Sequence, residues 1–220
     1  MNPWPQLTLT RRGTGYAGNA IAREAAQRGH EVVSYSRNLP AETDRAAGVR
    51  YETGSVLDAA TRENALAHGD VIVSALSPRG ELDGHIVDVD LAVAKLADAN
   101  GLRLGVVGGF SSLRTEAGAP RMAETDQLPP EFAGEARQMN DVLVGLASTP
   151  ESLDWFFISP AMQFGSYVPG ERLGSYRVGG DVAMFDADGV SAISGADFAI
   201  AVVDEIEKPV HHRAHFGVAY

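Results

Sequence analysis

The stretch "RRGTGYAG", Arg11–Gly18, decides the fold. Its glycines, Gly13, Gly15 and Gly18, keep the G-x-G-x-x-G spacing of a dinucleotide loop. In such a loop glycine lets the chain turn sharply, lets the backbone approach a pyrophosphate, and lets the following helix pack close to its strand. The context agrees. "LTLT" (Leu7–Thr10) reads as a short strand before the loop. Gly15 to Arg28 reads as a helix after it, with Ala17, Ile21 and Ala25 on one face and Gly29 at the C-terminal cap position. The helix would aim its free N–H groups at the phosphates.

Outward from the loop, strand and helix signals alternate. "HEVVSYS" (His30–Ser36) and "VRYETG" (Val49–Gly54) predict strands, and Asp58 caps a helix running to about Ala67. "DVIVSAL" (Asp70–Leu76) is a near-continuous apolar run, as expected of a strand covered on both faces. A long helix over Asp83–Asn100 leads into a strand over Leu102–Phe110. This alternation predicts an α/β fold: a Rossmann-like, doubly wound parallel sheet with helices on both faces.

After Phe110 the pattern loosens. "SSLRTEAGAPRMAETDQLPP" (Ser111–Pro130) predicts a long loop of the kind that covers substrates. Glu131–Ala147 predicts a helix, Leu153–Pro160 a sixth strand and Ser166–Gly180 a small antiparallel hairpin. Ala196–Glu207 predicts a helix and "HFGVAY" (His215–Tyr220) a final strand. We expect a single domain over residues 1–220, with a cofactor half at about 1–110 and a substrate-pocket extension at about 110–220.

The 220-residue chain is long enough for a sizeable core. Its net charge of −11 argues against nucleic acid as a partner, because phosphate backbones require a basic patch. There is no cysteine, which excludes disulfides and cysteine-ligated metals. No apolar run is long enough to span a bilayer and the start lacks a signal-peptide core, so we expect no membrane partner and a cytoplasmic location. A monomer or homodimer acting on a small molecule is expected.

The end of the second strand bears on cofactor type. An NAD site places an acid there for the ribose hydroxyls, and an NADP site an arginine for the 2′-phosphate. Here "SYSRN" supplies Ser36 and Arg37 and no acid. Arg37 offers a planar fork suited to phosphate, so NADP(H) is expected in preference to NAD(H).

Together "GTGYAG", "RGHEV", "SYSRN", "VSAL", "LRLGVVGG", "LDWFFISPA", "PGERLGSYRVGGD" and "ISGADFAIAVVDEIE" resemble the atypical short-chain dehydrogenase/reductase group. Within it the likeness is to NmrA-like NAD(P)H-binding proteins related to biliverdin-IX-beta/flavin reductase. It extends from Gly13 to Tyr220. It implies a Rossmann-like fold with a nicotinamide cofactor at the C-terminal ends of the strands. The cofactor-binding positions it implies are Arg12, Gly13, Thr14, Gly15, Tyr16, Ala17, Gly18, Ser36, Arg37, Ser55, Val56, Ala75, Leu76, Gly108 and Gly109. Two departures stand out. Arg11 and Arg12 occupy the last strand position and the first glycine of the family pattern, so Arg12 either crowds the pyrophosphate or contacts it. Ser55 stands where the family often has Asp.

The classical Tyr-x-x-x-Lys pair of related enzymes is absent, since neither lysine, Lys95 or Lys208, follows a tyrosine by four residues. The strand end "GGFSSL" offers Ser111 and Ser112 instead. The resemblance puts a serine here beside the hydride-transfer site, with Ser112 the better match. Phe110, Pro160, Met162 and Phe164 are candidates to wall the substrate pocket. Tyr16 would lie over the cofactor as a weak acid candidate. His211, His212 and His215 invite a metal reading, but they lack a recognised ligand pattern, so no metal is expected and a solvated chain end fits better. The acids of "DEIEK" read as a solvated helix face.

The expected function is an NAD(P)H-dependent oxidoreductase that transfers hydride from NADPH to a flavin, quinone or other unsaturated carbonyl. The alternatives are an NADP(H)-binding redox sensor without turnover and, less favoured, a nucleotide-sugar epimerase or dehydratase.

Overall fold

A computed structural model describes residues 7–11, 15–67 and 69–220; Arg12, Gly13, Thr14 and His68 fall outside them. The strands are β1 (Leu7–Arg11), β2 (Val32–Ser36), β3 (Val49–Thr53), β4 (Val71–Ala75), β5 (Arg103–Val107), β6 (Trp155–Ser159), β7 (Arg177–Val178) and β8 (Ala214–Ala219). The helices are α1 (Tyr16–Gln27), α2 (Ala59–Leu66), α3 (Ile86–Ala99), α4 (Pro130–Ala147) and α5 (Gly195–Glu207). The strands form one sheet in the order β3-β2-β1-β4-β5-β6-β8-β7. Every pairing is parallel except β7 with β8. The doubly wound fold read from the sequence is the fold observed.

The two-residue alternation of the strands sorts their side chains into two cores. Val71, Val73, Phe156 and Ile158 face α1 and α5. Ile72, Leu104, Trp155 and Phe157 face α2, α3 and α4. Both faces are apolar and covered, which is why β4 and β6 read as continuous hydrophobic runs.

Local signals set most boundaries. Gly15 is the N-cap of α1. Gly29, just past its end, has φ +93°, a conformation costly for a residue with a Cβ. Asp58 caps α2 by accepting from the Ala60 N–H at 3.3 Å.

The α5 crossover is unusual. It lies on the α1 face, yet β6 to β8 advances in the direction opposite to β1 to β2. Its hand is therefore opposite to that of the α1, α3 and α4 crossovers, which share the common hand. The chain manages this by running through residues 160–194 before α5 begins, which brings that segment beside the start of α1.

Three element expectations need correction. Residues 166–180 do not form a hairpin. Arg177 and Val178 pair instead with Ala219 and Val218 at the sheet edge, a long-range partner that turn residues cannot reveal. The Ser111–Pro130 stretch is structured: 3₁₀ turns cover Phe110–Ser112 and Met122–Glu124, and Arg114 bridges both Arg121 and Val182. α3 begins at Ile86, because Gly80–Leu82 form their own 3₁₀ turn and Gly84 takes φ +76°.

Candidate functional site

In the sheet order β1 is flanked by β2, which precedes α2, and by β4, which follows it. This reversal opens a crevice at the C-terminal edge, the usual ligand position of such sheets. Arg11 ends β1 directly opposite Ala75 at the end of β4. The N-terminus of α1 lies at this edge. Gly15 makes no side-chain cap, and the first intrahelical bond runs from Asn19 N–H to Gly15 C=O at 2.9 Å. The N–H groups of Tyr16, Ala17 and Gly18 therefore have no intrahelical acceptor, and the helix dipole adds positive potential there. Such a helix start fits a pyrophosphate.

Around the crevice, Ser36 is buried at the end of β2 and donates to the Asn38 carbonyl at 2.7 Å. Arg37 is exposed, and its Nε lies 3.1 Å from the Glu81 carboxylate beyond β4. Ser55 Oγ accepts from Leu57 N–H at 3.3 Å, and the carbonyl of buried Val56 accepts from Arg62 at 2.6 Å. These bonds fix the turn after β3. Ala75 packs toward α1, and Leu76 is buried on the opposite face.

Past β5, Gly108 donates to the Ile158 carbonyl at 2.8 Å. A Cβ at Gly108 would lie 1.9 Å from the Phe157 ring, so close packing requires this glycine. Gly109 is different: a Cβ there would meet nothing. Ser111 is half-buried. Ser112 is buried, and its Oγ has no hydrogen-bond partner among the described residues.

The expected pocket wall divides. Phe110 packs edge-to-face with Phe185 at 6.5 Å. Pro160 is buried, and Met162 is half-exposed. Phe164 packs into the α1–α5 core, 4.7 Å from the Phe198 ring and 5.2 Å from Tyr16. Tyr16 is not free to act as an acid. Its hydroxyl accepts from Gly195 N–H and donates to the Pro169 carbonyl, both at 2.7 Å, and burial raises its pKa.

Two further expectations are overturned. The acids of "DEIEK" are not a solvated face. Glu205 is buried, and it binds Arg103 at 2.7 Å and His211 Nδ1 at 2.7 Å. Burial pushes its pKa up, but these partners outweigh it and hold the carboxyl below its ordinary value. Asp204 and Glu207 bind Arg28 at 2.6 and 3.0 Å. Nor is the histidine segment a loose chain end. His211 stacks on Phe216 at 3.8 Å, and His215 in β8 bonds Ser159 Oγ at 2.9 Å. Burial, with Arg121 nearby, lowers the His215 pKa to about 4.

Two groups escaped sequence reading. Asp90 in α3 is buried under β4, with Ser74 Oγ donating to it at 2.6 Å, and burial pushes its carboxyl up to about 7. Asp197 accepts from Leu173 N–H and Gly174 N–H, both at 2.8 Å, and from Tyr220 at 2.5 Å. The S-x-x-D spacing of Ser194 and Asp197 signals a helix N-terminus, but not this grip on the 170s segment.

The chain matches the NAD(P)H-binding family over residues 13–209. It is 36% identical over 210 residues to the YwnB protein of Bacillus subtilis (strain 168), covering 93% of this chain and 94% of that protein. A crystal structure of a protein described as a "putative exported protein" from Burkholderia pseudomallei superposes with TM-score 0.81 at 35% identity, over 97% of this chain and 100% of that one. A "putative NADH-flavin reductase" from Streptococcus pneumoniae TIGR4 superposes with TM-score 0.79 at 28% identity, over 97% and 99% of the two chains. A parallel sheet whose order reverses at the start of a glycine-led helix, with this match extending from Gly13 through α5, makes the chain a member of the NAD(P)H-binding family.

Proposed function

We propose that the chain is an NADPH-dependent reductase acting on a flavin, quinone or other unsaturated carbonyl. The observation that carries the reading is the α1 N-terminus at the β1–β4 crevice, where Gly15 supplies no side-chain cap; the Gly108–Gly109 turn follows β5, the strand next to β4. The reductase part rests also on likeness to the S. pneumoniae protein described as a "putative NADH-flavin reductase", and the preference for NADPH rests on Arg37 alone.

In this reading Gly15, Tyr16, Ala17 and Gly18 bind the pyrophosphate through backbone N–H groups, joined by Arg12, Gly13 and Thr14. Arg37 takes the 2′-phosphate by exchanging its Glu81 partner for it. The turn at Ser55 and Val56 flanks the adenine, and Ala75, Leu76, Gly108 and Gly109 line the path to the nicotinamide. The bound nicotinamide supplies the hydride. Ser112, assisted by Ser111, orients the acceptor's carbonyl; the support for this role is that its buried hydroxyl has no hydrogen-bond partner among the described residues. Phe110, Pro160 and Met162 border the acceptor, with Phe164 supporting them from the core. Positioning and exclusion of water supply most of the acceleration. The setting is cytoplasmic.

The test is NADPH oxidation by the full chain with FMN, riboflavin and menadione as acceptors. Turnover with at least one supports the reading. Tight NADPH binding without oxidation by any of them refutes turnover and favours a redox sensor. That second reading draws on one observation: no general acid stands within hydrogen-bonding distance of Ser112 Oγ among the described residues.

A further inference from the structure

A groove of about 580 Å³ lies away from the nucleotide crevice. α4 runs from the C-terminal end of β5 to the start of β6, so its last turns lie at the opposite edge of the sheet. There Leu143, Val144 and Ala147 form an apolar wall. Trp155, the first residue of β6, and His215, the second of β8, form the floor. Arg121 arrives from the bridged loop after β5.

Three buried polar atoms of these residues have no partner among the described residues: Trp155 Nε1, His215 Nδ1 and Arg121 Nε. Trp155 is only 3% exposed. An indole N–H and a guanidinium Nε–H can only donate, so a molecule completing this set must bring acceptors. The neighbouring charges are already committed elsewhere. Asp181 is held by Arg114 at 2.7 Å. Arg213 binds the Pro150 and Leu153 carbonyls at 2.7 and 3.0 Å while lying over the Trp155 ring. Among the described residues, the Arg121 guanidinium forms one ion pair, with Glu124 at 3.5 Å. Among the residues lining the groove, two arginines, Arg121 and Arg213, stand against one carboxylate, Asp181.

We propose that this groove is a second ligand site, which takes a small organic carboxylate. Its oxygens accept from Trp155 Nε1 and Arg121 Nε, both covered until the partly exposed Arg121 side chain swings aside, and its aliphatic body lies on Leu143, Val144 and Ala147. Carboxylate is the matching chemistry because it brings several acceptor lone pairs and a charge opposite to that of Arg121. The site does not depend on the nucleotide reading.

The experiment follows the indole N–H signals of the full chain by ¹H–¹⁵N correlation spectroscopy. The chain has two tryptophans, and Trp4→Phe assigns them. Hexanoate should shift the Trp155 signal saturably, and hexanamide should need at least tenfold higher concentration. Arg121→Met should weaken hexanoate at least tenfold while leaving NADPH affinity unchanged. If Arg121→Met does not fold, Arg121→Lys, which keeps the charge but loses the Nε–H, should also weaken it. The proposal is overturned by an unsaturable or absent Trp155 shift, by equal responses to hexanoate and hexanamide, or by wild-type hexanoate binding in the Arg121 variant.

Discussion

The Tyr16 hydroxyl accepts a hydrogen bond from the Gly195 backbone N–H at 2.7 Å, and a Cβ at Gly195 would lie 2.7 Å from the same ring. One side chain thus ties the start of α1 to the start of α5, and through Pro169 to the segment between them. Tyr16→Phe should cost about 1–2 kcal/mol, the usual worth of partly buried hydrogen bonds. Gly195→Ala should cost about 1–3 kcal/mol through overpacking. Denaturant melts of both variants check this, and a Gly195→Ala protein as stable as wild type would break the packing argument.

Gly108 and Gly109 are adjacent in sequence but not equivalent. Gly108→Ala drives a methyl into Phe157 and should destabilise by about 1–3 kcal/mol. Gly109 has φ −118° and ψ 157°, which alanine adopts readily, and has open space around its Cα. Gly109→Ala should therefore leave the melting temperature unchanged and raise the NADPH dissociation constant severalfold. Calorimetry and a binding titration on the same samples separate the two effects.

Much of this arrangement was legible in the sequence. The glycine spacing, the apolar runs of β4 and β6, and the caps at Asp58 and Gly29 are local signals, and the elements they mark were found. What was not legible depends on distant partners. Glu205 reads as a solvated acid because its neighbours in sequence are acids. Its burial is explained by Arg103, which reaches it across 102 residues, together with His211, which folds back onto it from beyond the helix end. Tyr16 reads as a cofactor-facing phenol until α5 arrives 179 residues later. β7 offers two residues and no periodicity, so only the pairing with β8 defines it.

That Glu205 contact carries its own prediction. Arg103 also bonds Asp154 at 2.9 Å and the His211 carbonyl at 2.8 Å. Arg103→Met would leave Glu205 buried without its main counter-charge. The expected loss is about 3–5 kcal/mol, as for other broken buried pairs. Arg103→Met with Glu205→Gln should recover part of it, and no recovery in the double variant would deny the coupling.

Asp90 and His215 give opposite slopes with pH. The folded Asp90 carboxyl titrates at about 7, well above an unfolded aspartate. The folded state therefore holds the extra proton between about pH 4 and 7, and stability falls as pH rises through that window. His215 titrates at about 4 when folded, below its unfolded value. There the unfolded state holds the extra proton, and stability rises with pH between about 4 and 6.5. Asp90→Asn removes the falling slope, so its melting temperature should climb more steeply than wild type from pH 5 to 7. Parallel profiles for the two proteins would show that Asp90 does not titrate there.

Arg37 lies against Glu81 at the end of β2. If it receives the 2′-phosphate, Arg37→Asp should weaken NADPH more than NADH. Glu81→Gln should strengthen NADPH by removing a competing carboxylate. Equal changes for both nucleotides would remove the basis for a 2′-phosphate contact.

The most direct measurement is a calorimetric titration of the full chain with NADPH and, separately, NADH. Saturable binding of both, with NADPH the tighter, is the predicted result. No binding of either nucleotide would contradict the assignment of the β1–β4 crevice and the α1 N-terminus as a working dinucleotide site.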